Sequence, residues 1–255
     1  MTITCICLKY GTAYGPEYVN RLRAGLVRHS TMPVRFLCMT DDAAGLGHGV
    51  EVLALPEEPF ADRMERALAT APKQGRLKKI SLFRPGLLSG HAGPLLVFDL
   101  DVVIAGPVDD LWAYAPGAVC MRREWRSSSR APSLGHGSVE RIDPDRHAYL
   151  YQAMADDPEE AVAFGGGSEQ TYTSASADRA GDLRFFPDDW IASFKYDCRP
   201  PKPLNLFLTP RRPPEARVVC FHGRPKMEEA VAGYRAGLAS TRPCRWLRDA
   251  WEGKA

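Results

Sequence analysis

Short runs of β-branched and other apolar residues recur at Ile3 to Leu8, Val34 to Met39, Val50 to Leu55, Leu95 to Ile104, Ala118 to Met121 and Arg217 to Phe221. Their lengths and flanking turn residues predict β-strands. Between the first two, Tyr18, Leu22, Gly25 and Leu26 fall at helical spacing after Gly15-Pro16, which predicts a helix over Gly15 to His29. A second helical stretch is predicted around Lys78 to Phe83. The run from Leu95 to Ile104 is apolar on both faces except for Asp99 and Asp101, the pattern of a strand in the middle of an α/β sheet. Alternating strands and helices with right-handed crossovers predict a mostly parallel, Rossmann-like central sheet with flanking helices. In such α/β folds the ligand site opens at the carboxyl ends of the strands.

Three tracts break this pattern. Residues 126–144 are rich in Ser, Gly and Pro and read as a mobile loop, of a length often used for lids. Arg199 to Pro214 carries Pro200, Pro201, Pro203, Pro210, Pro213 and Pro214 and reads as a linker or a rigid surface connection. The C-terminal segment 235–255 interleaves Arg242, Arg245 and Arg248 with Trp246 and Trp251. That pattern suits a peripheral membrane contact, and it also suits a helix packed on the domain through its tryptophans, the reading we favour. No repeat of 20 to 50 residues is evident, so 1–255 reads as a single domain.

The composition, 45% hydrophobic and 25% charged over 255 residues, excludes disorder, collagen and coiled coil. Thirty-three Lys and Arg against 31 Asp and Glu leave +2, too balanced for a general nucleic-acid binder, so any basic surface is local. The longest apolar stretches, Pro94 to Phe98 and Val102 to Ala105, fall far short of the ~20 residues of a membrane-spanning helix. Met1 to Lys9 has neither the basic start nor the cleavage pattern of a signal peptide, which predicts a cytoplasmic protein. The seven cysteines are odd in number and most sit in apolar runs, so they read as reduced core residues.

Within this frame the chemistry concentrates at predicted strand ends. In a strand, Asp99 and Asp101 point to the same side, bringing two hard carboxylates together. Two such groups side by side call for a counter-charge such as Mn²⁺ or Mg²⁺, or for an Arg or a turn to cap. The strand Val218 to Phe221 ends in His222, Gly223, Arg224 and Lys226: a metal-ligand type, a residue permitting close backbone approach, and two cations suited to phosphate oxygens. After the first strand, Tyr10 or Tyr14 could stack on a base. At the end of the second, Asp41 could accept from a base or a ribose hydroxyl, or cap a turn.

The segments Lys-Tyr-Gly-Thr-x-Tyr-Gly-Pro-Glu-Tyr-Val-Asn-Arg-Leu (9–22), Thr-Asp-Asp (40–42), Lys-x-x-Leu-Phe-Arg-Pro-Gly (79–86), Phe-Asp-Leu-Asp-Val-Val-Ile (98–104) and Phe-His-Gly-Arg-Pro-Lys (221–226), in this order, resemble bacterial glycosyltransferases related to family 8. The resemblance spans nearly the whole chain. It implies a GT-A fold, a nucleotide-sugar donor, most often a uridine diphosphate sugar, a divalent cation, and retention at the anomeric carbon. It implies that Asp99, Asp101 and His222 hold the metal, that Lys226 meets the diphosphate with Gly223 and Arg224 beside it, and that Lys79 sits near the donor. Leu8, Tyr14 and Asp41 would line the nucleoside pocket, with Tyr10 next to them.

Glu169 and Gln170, after Gly165-Gly166-Gly167, resemble the family's acidic-amide segment beside the reacting sugar and are the expected catalytic pair. Many relatives read Gly-Asp-Gln or Gly-Asp-Glu there, whereas this chain has Gly167-Ser168-Glu169-Gln170. Phe186 to Tyr196 resembles a Pro-x-x-Trp-x-x-Ser-x-Lys stretch, in which Trp190 would stack on an acceptor sugar and Lys195 would meet a polar group of it. Trp190 and Phe194 at i and i+4 could instead be helical core. The acceptor is expected to be a hydroxyl of a glycan, a lipid or a small molecule. Two rival readings stand beside transfer: a non-catalytic nucleotide-sugar-binding scaffold of the same fold, and a sugar nucleotidyltransferase, whose Gly-rich basic phosphate loop is poorly matched by Tyr10 to Gly15.

Overall fold

The structure, a computed structural model, describes residues 1–88, 91, 93–125 and 134–253. The chain runs β1 (Ile3–Lys9), α1 (Pro16–Arg28), β2 (Val34–Thr40), β3 (Val50–Ala54), α2 (Ala61–Thr70), a 3₁₀ helix (Lys78–Phe83), β4 (Leu95–Phe98), β5 (Val102–Ile104) and α3 (Asp109–Ala113). It continues with β6 (Val119–Arg123), β7 (Gly135–Ile142), α4 (Tyr149–Asp156), α5 (Pro158–Gly165), α6 (Glu169–Arg179), β8 (Leu183–Phe185) and β9 (Ile191–Ser193). A π-helical turn (Phe194–Cys198), a 3₁₀ turn (Leu204–Leu206), β10 (Val218–Cys220), α7 (Met227–Ala232) and α8 (Arg245–Glu252) complete it. A seven-stranded, mostly parallel sheet has the order β3-β2-β1-β4-β7-β6-β8, and a three-stranded sheet the order β5-β10-β9. The chain divides into two compact units.

The first unit comprises Met1–Leu53, Phe98–Asp110 and Pro187–Ala255. β1 pairs in parallel with β2 from Ile3↔Val34 to Lys9↔Thr40, and all seven of its residues are buried, so it has no solvent face and no polar alternation. α1 begins at Pro16, a residue already set to a helical φ, and buries Val19, Leu22, Gly25 and Leu26. Gly25 allows close packing: a Cβ there would come 3.1 Å from the Ile104 Cβ. In the small sheet β10 pairs antiparallel with β5 and parallel with β9. Beneath it Phe194 and Phe221 stack at 4.6 Å. α8 buries Leu247 and Trp251; Trp251 meets the edge of Tyr18 at 5.8 Å, and Trp246 donates to the Pro210 carbonyl at 3.0 Å. The C-terminal tryptophans are thus packed on the unit, the favoured of the two expectations.

The second unit comprises Ala54–Val97 and Leu111–Phe186. β6 pairs antiparallel with β7 and parallel with β8, with a register shift between Met121 and Arg122. α5, capped by Asp157, whose side chain accepts from Glu160 N, packs on α2, α4 and α6. Glu58 ties the 3₁₀ helix to α4, accepting from Ser81 Oγ at 2.6 Å and from Tyr151 Oη at 2.5 Å.

Several expectations are corrected. The run Leu95 to Ile104 is not one strand: β4 ends at Phe98, β5 starts at Val102, and the two belong to different sheets, with Asp99-Leu100-Asp101 as the link. Two unpaired carboxylates inside a doubly buried strand would be desolvated without compensation, and the chain leaves the sheet where they occur. The helical stretch expected at Lys78–Phe83 is present, as a 3₁₀ helix. The expected loop 126–144 falls partly outside the described residues, at 126–133, and its remainder contains the eight-residue strand β7. That strand hides from a hydrophobicity pattern because it buries Ser138, Glu140 and Arg141, each a polar residue. Arg141 is held there by the Trp112 carbonyl at 2.8 Å. Trp190 and Phe194 do not share a helix; they flank β9.

Removing one ring of the stacked pair leaves a cavity that a rigid sheet cannot collapse. Phe194→Ala is expected to lower unfolding free energy by about 3–5 kcal/mol, read by urea titration.

Candidate functional site

The loop after β1 and the end of β2 are clamped together. Lys9, buried at the last position of β1, sends Nζ to the Asp42 carbonyl at 3.0 Å and lies 3.6 Å from its carboxylate. Gly11 N donates to Asp41 Oδ2 at 3.0 Å. Parallel pairing of Leu8 with Met39 puts both strand ends side by side, so Leu8, Tyr10 and Asp41, all expected at a nucleoside pocket, come from adjoining segments. Asp41 is thus engaged by the loop after β1, while the following turn is capped by Asp42, which accepts from Ala44 N at 2.9 Å.

The centre of the first unit's site is Asp101. Tyr14 Oη donates to its Oδ2 at 3.0 Å, and Lys226 Nζ lies 3.5 Å from the same oxygen and within hydrogen-bond reach of Tyr14 Oη. Three loops, after β1, before β5 and after β10, thereby converge on one carboxylate. Burial, and next the charge of Asp99, push the Asp101 carboxyl up to about 6, against the opposing pull of Lys226 and Tyr14. Burial and then the Asp101 charge also raise the Tyr14 phenol, keeping it a neutral donor. The Tyr14 ring meets Tyr18 edge-on at 4.9 Å and carries Lys226 Nζ at 4.8 Å from its centroid, so its surroundings are those of a clamp rather than an open stacking platform.

Backbone register brings the second motif to the first. The β5–β10 ladder, Cys220 opposite Val102, is extended by Phe221 N donating to the Asp101 carbonyl at 2.8 Å, which sets His222 beside the Asp99–Asp101 link. His222 Nε2 shares a 2.8 Å hydrogen bond with Ser193 Oγ, and its ring lies against Tyr196 at 5.3 Å. Arg224 pairs with Glu229, and Lys226 N donates to the same carboxylate at 2.8 Å at the start of α7.

The carboxylates of Asp99 and Asp101 are hard oxygen ligands, and the raised proton affinity of Asp101 marks negative charge that Lys226 and Tyr14 do not fully offset. In ligand type and charge the pair fits a divalent cation. Among the described residues, however, no three His, Cys, Asp or Glu side chains are gathered as a ligand set, so the structure brings His222 near by backbone but does not assemble the expected triad.

In the second unit the structure gathers Lys79, Glu169 and Gln170. Glu169 Oε1 accepts from Lys79 N at 2.6 Å, joining the first turn of α6 to the 3₁₀ helix. Lys79 Nζ donates to the Gly137 carbonyl and lies 3.8 Å from buried Glu140. Gln170 bridges β7 and β6: its Oε1 accepts from Gly137 N at 3.3 Å and its Nε2 donates to Glu124 at 3.0 Å. The glycines before α6 are required by close approach, because Gly75 N donates to the Gly167 carbonyl at 3.0 Å and a Cβ on Gly167, whose φ is +73°, would collide with the Lys73 carbonyl. Ser168 holds the N-cap position of α6 without a side-chain cap bond.

Of the expected acceptor residues, Trp190 has the Arg217 guanidinium 3.7 Å from its ring centroid, and Lys195 is exposed, 5.4 Å from the Tyr196 ring. Ser193, Glu124 and Glu140 were not legible as site residues; no motif marks a group whose role is to hold another side chain.

No protein-family model matches the chain, and no curated protein matches its sequence. Solved structures do match. The galactosyltransferase LgtC, in complex with donor and acceptor sugar analogs, is similar at a TM-score of 0.60 with 11% identity, over 88% of this chain and 89% of that one. The apo-form glycosyltransferase GlyE of Streptococcus pneumoniae TIGR4 is similar at 0.60 with 12% identity, over 89% of this chain and 56% of that one. Apo mouse xyloside xylosyltransferase 1 reaches 0.52 with 10% identity, over 88% and 98%. The fold is that of the GT-A glycosyltransferases.

Two outcomes are expected of this geometry. Asp101 ordinarily titrates at 3.8 and here near 6, so between those values the folded chain holds a proton the unfolded chain has lost. In metal-free buffer that contribution makes stability fall as pH rises from about 4 to about 6 and level off above. Asp101→Asn should flatten this slope and raise stability at pH 7 by about 2 kcal/mol, measured by urea unfolding across pH. Gly167→Ala should destabilise by about 2 kcal/mol or more, with loss of amide protection over 73–75 and 166–170.

Proposed function

We propose that this chain is a metal-dependent, retaining glycosyltransferase related to bacterial family 8, moving a sugar from a uridine diphosphate sugar to a hydroxyl of a glycan, lipid or small molecule, with 1–255 acting as one such domain. The observation that carries this reading is the convergence of Tyr14, Asp101 and Lys226 from three loops at the end of a GT-A sheet, beside Asp99 and His222. No helix among the described residues is long and apolar enough to cross a membrane. All seven cysteines are buried and outside any disulfide, which supports a reducing, cytoplasmic setting.

Asp99 and Asp101 would hold Mn²⁺ or Mg²⁺, with His222 joining them on release of Ser193. When bound, that ion supplies electrostatic stabilisation of the departing diphosphate. The chain's own cations act on the same charge: Lys226 exchanges Asp101 for a diphosphate oxygen, and Arg224 lies two residues away beside Gly223, whose positive φ of +85° turns the backbone there. Charge that grows as the sugar–phosphate bond breaks is met more strongly in the transition state than in the ground state. Leu8, Tyr10 and Asp41 would receive the nucleoside, Glu169, Gln170 and Lys79 would face the reacting sugar, and Trp190 with Lys195 would receive the acceptor.

A second reading, a nucleotide-sugar-binding scaffold without turnover, draws on one observation: the side chains of Glu169 and Gln170 are already engaged by Lys79 N, Gly137 N and Glu124. Calorimetric titration with uridine, guanosine, cytidine and thymidine diphosphates, each with and without Mn²⁺, separates the readings. Mn²⁺-dependent binding of the uridine diphosphate, weakened at least about tenfold in folded Asp101→Ala, is expected, with sugar release from the matching donor. Binding without any turnover would favour the scaffold. No binding of any diphosphate by folded protein would overturn the donor site.

A further inference from the structure

Two stretches of the first unit, 198–214 and 233–248, contain no Asp or Glu and eight of the chain's 33 Lys and Arg. The remainder, 25 cations against 31 acids, is net acidic, so the chain's small positive charge is the sum of a basic patch and an acidic body. The structure joins the stretches into one surface. Asn205 Nδ2 donates to the Leu238 and Ser240 carbonyls at 3.1 and 2.7 Å, Arg199 to the Ala239 carbonyl at 2.9 Å, and Trp246 to the Pro210 carbonyl at 3.0 Å.

The same surface exposes large apolar side chains that a water-facing loop has no reason to display. Leu204 is 48% exposed, Phe207 73%, Leu208 49% and Leu238 59%. They are close in the fold, since Leu204, Phe207 and Leu208 surround Asn205, whose amide is bonded to the Leu238 carbonyl. Beside them opens a cavity of about 460 Å³ whose lining includes Asn205, Leu206, Tyr234, Arg235 and Arg242. Two buried oxygens of its lining residues, Asn205 Oδ1 and Thr241 Oγ1, have no hydrogen-bond partner. An apolar cluster with Arg235 and Arg242 beside it matches a layer that presents acyl chains beneath phosphates.

We infer that this face docks on an anionic lipid bilayer, with Phe207, Leu204, Leu208 and Leu238 entering the interface and the arginines meeting headgroup phosphates. Charge complementarity selects this occupant over a symmetric dimer through this face, which would bring like-charged patches together. The surface lies outside the sugar-transfer machinery proposed above, and its test does not depend on activity. It also relocates the membrane contact expected from the C-terminal tryptophans, which are packed inward.

The experiment is co-sedimentation of the full chain with phosphatidylcholine vesicles, with and without phosphatidylglycerol, at low and high salt. Binding is expected only with the anionic lipid and should fade at high salt. Arg235→Glu/Arg242→Glu should weaken it about twentyfold or more, at about fivefold per charge. Phe207→Ser/Leu238→Ser, exposed positions whose change leaves the circular dichroism unaltered, should weaken it about tenfold. Equal binding to neutral vesicles, no binding to either, or indifference to both variants overturns the proposal. So does a concentration-dependent dimer, abolished by Phe207→Ser/Leu238→Ser, in a protein that ignores vesicles.

Discussion

An ionised carboxylate is tolerated in a protein interior only where something answers its charge, and this chain places two of them, Asp99 and Asp101, in the middle of its most apolar run. The backbone responds by ending β4 at Phe98 and beginning β5, in another sheet, at Val102. Everything chemical in the first unit follows from that break. The link is fixed at its far end by Phe221 N on the Asp101 carbonyl, which sets the position of the His222-Gly223-Arg224 turn. At its side-chain end it draws Tyr14 and Lys226, more than 80 residues away in either direction, onto one oxygen.

In the second unit the corresponding constraint is steric. The backbone of 73–75 runs so close to Gly167 that only glycine fits there, and the hydrogen bonds made to Gly166 and Gly167 fix where α6 begins. Glu169 and Gln170, on its first turn, are therefore held by backbone geometry before their side chains engage Lys79, Gly137 and Glu124. A serine at the preceding N-cap leaves this scaffold intact, because Ser168 contributes no cap bond to it. The local fold does not require an acidic residue at that position.

How much was legible follows the same division. Strands buried on both faces, such as β1 and β2, announce themselves by continuous apolar residues, and α1 by its spacing after Gly15-Pro16. β7 is not legible as a strand because its buried residues are polar and satisfied by partners remote in sequence, as Arg141 is by Trp112 and Glu140 by Lys79. The three-residue strands β8 and β9 are too short to carry a period at all. Asp99, Asp101, His222 and Lys226 stand out together only through the family resemblance; of them the structure joins Asp101 and Lys226 directly and brings His222 beside the Asp99–Asp101 link by backbone pairing. Their partners Tyr14 and Ser193 were not legible in the roles they hold here, since a hydroxyl that positions an acid or an imidazole leaves no pattern in one sequence. The break between β4 and β5 was misread for a physical reason too: hydrophobicity alone cannot tell one long strand from two short ones that part at a charge.

The Asp101 cluster also shows what the fold carries in order to keep these groups together. A carboxyl whose proton affinity is raised by burial and by a neighbouring acid is a net cost to the folded state at neutral pH, only part of which Tyr14 and Lys226 return. The offset comes from elsewhere in the same unit: the wholly buried β1, the close approach of α1 to Ile104 through Gly25, and the Phe194–Phe221 stack directly under the strands that bear the site. Phe221 belongs to both sides of this balance, its ring in the core and its amide on Asp101. A change that loosens the core there would move the carboxylate as well, so packing and site geometry in this unit are not separable quantities.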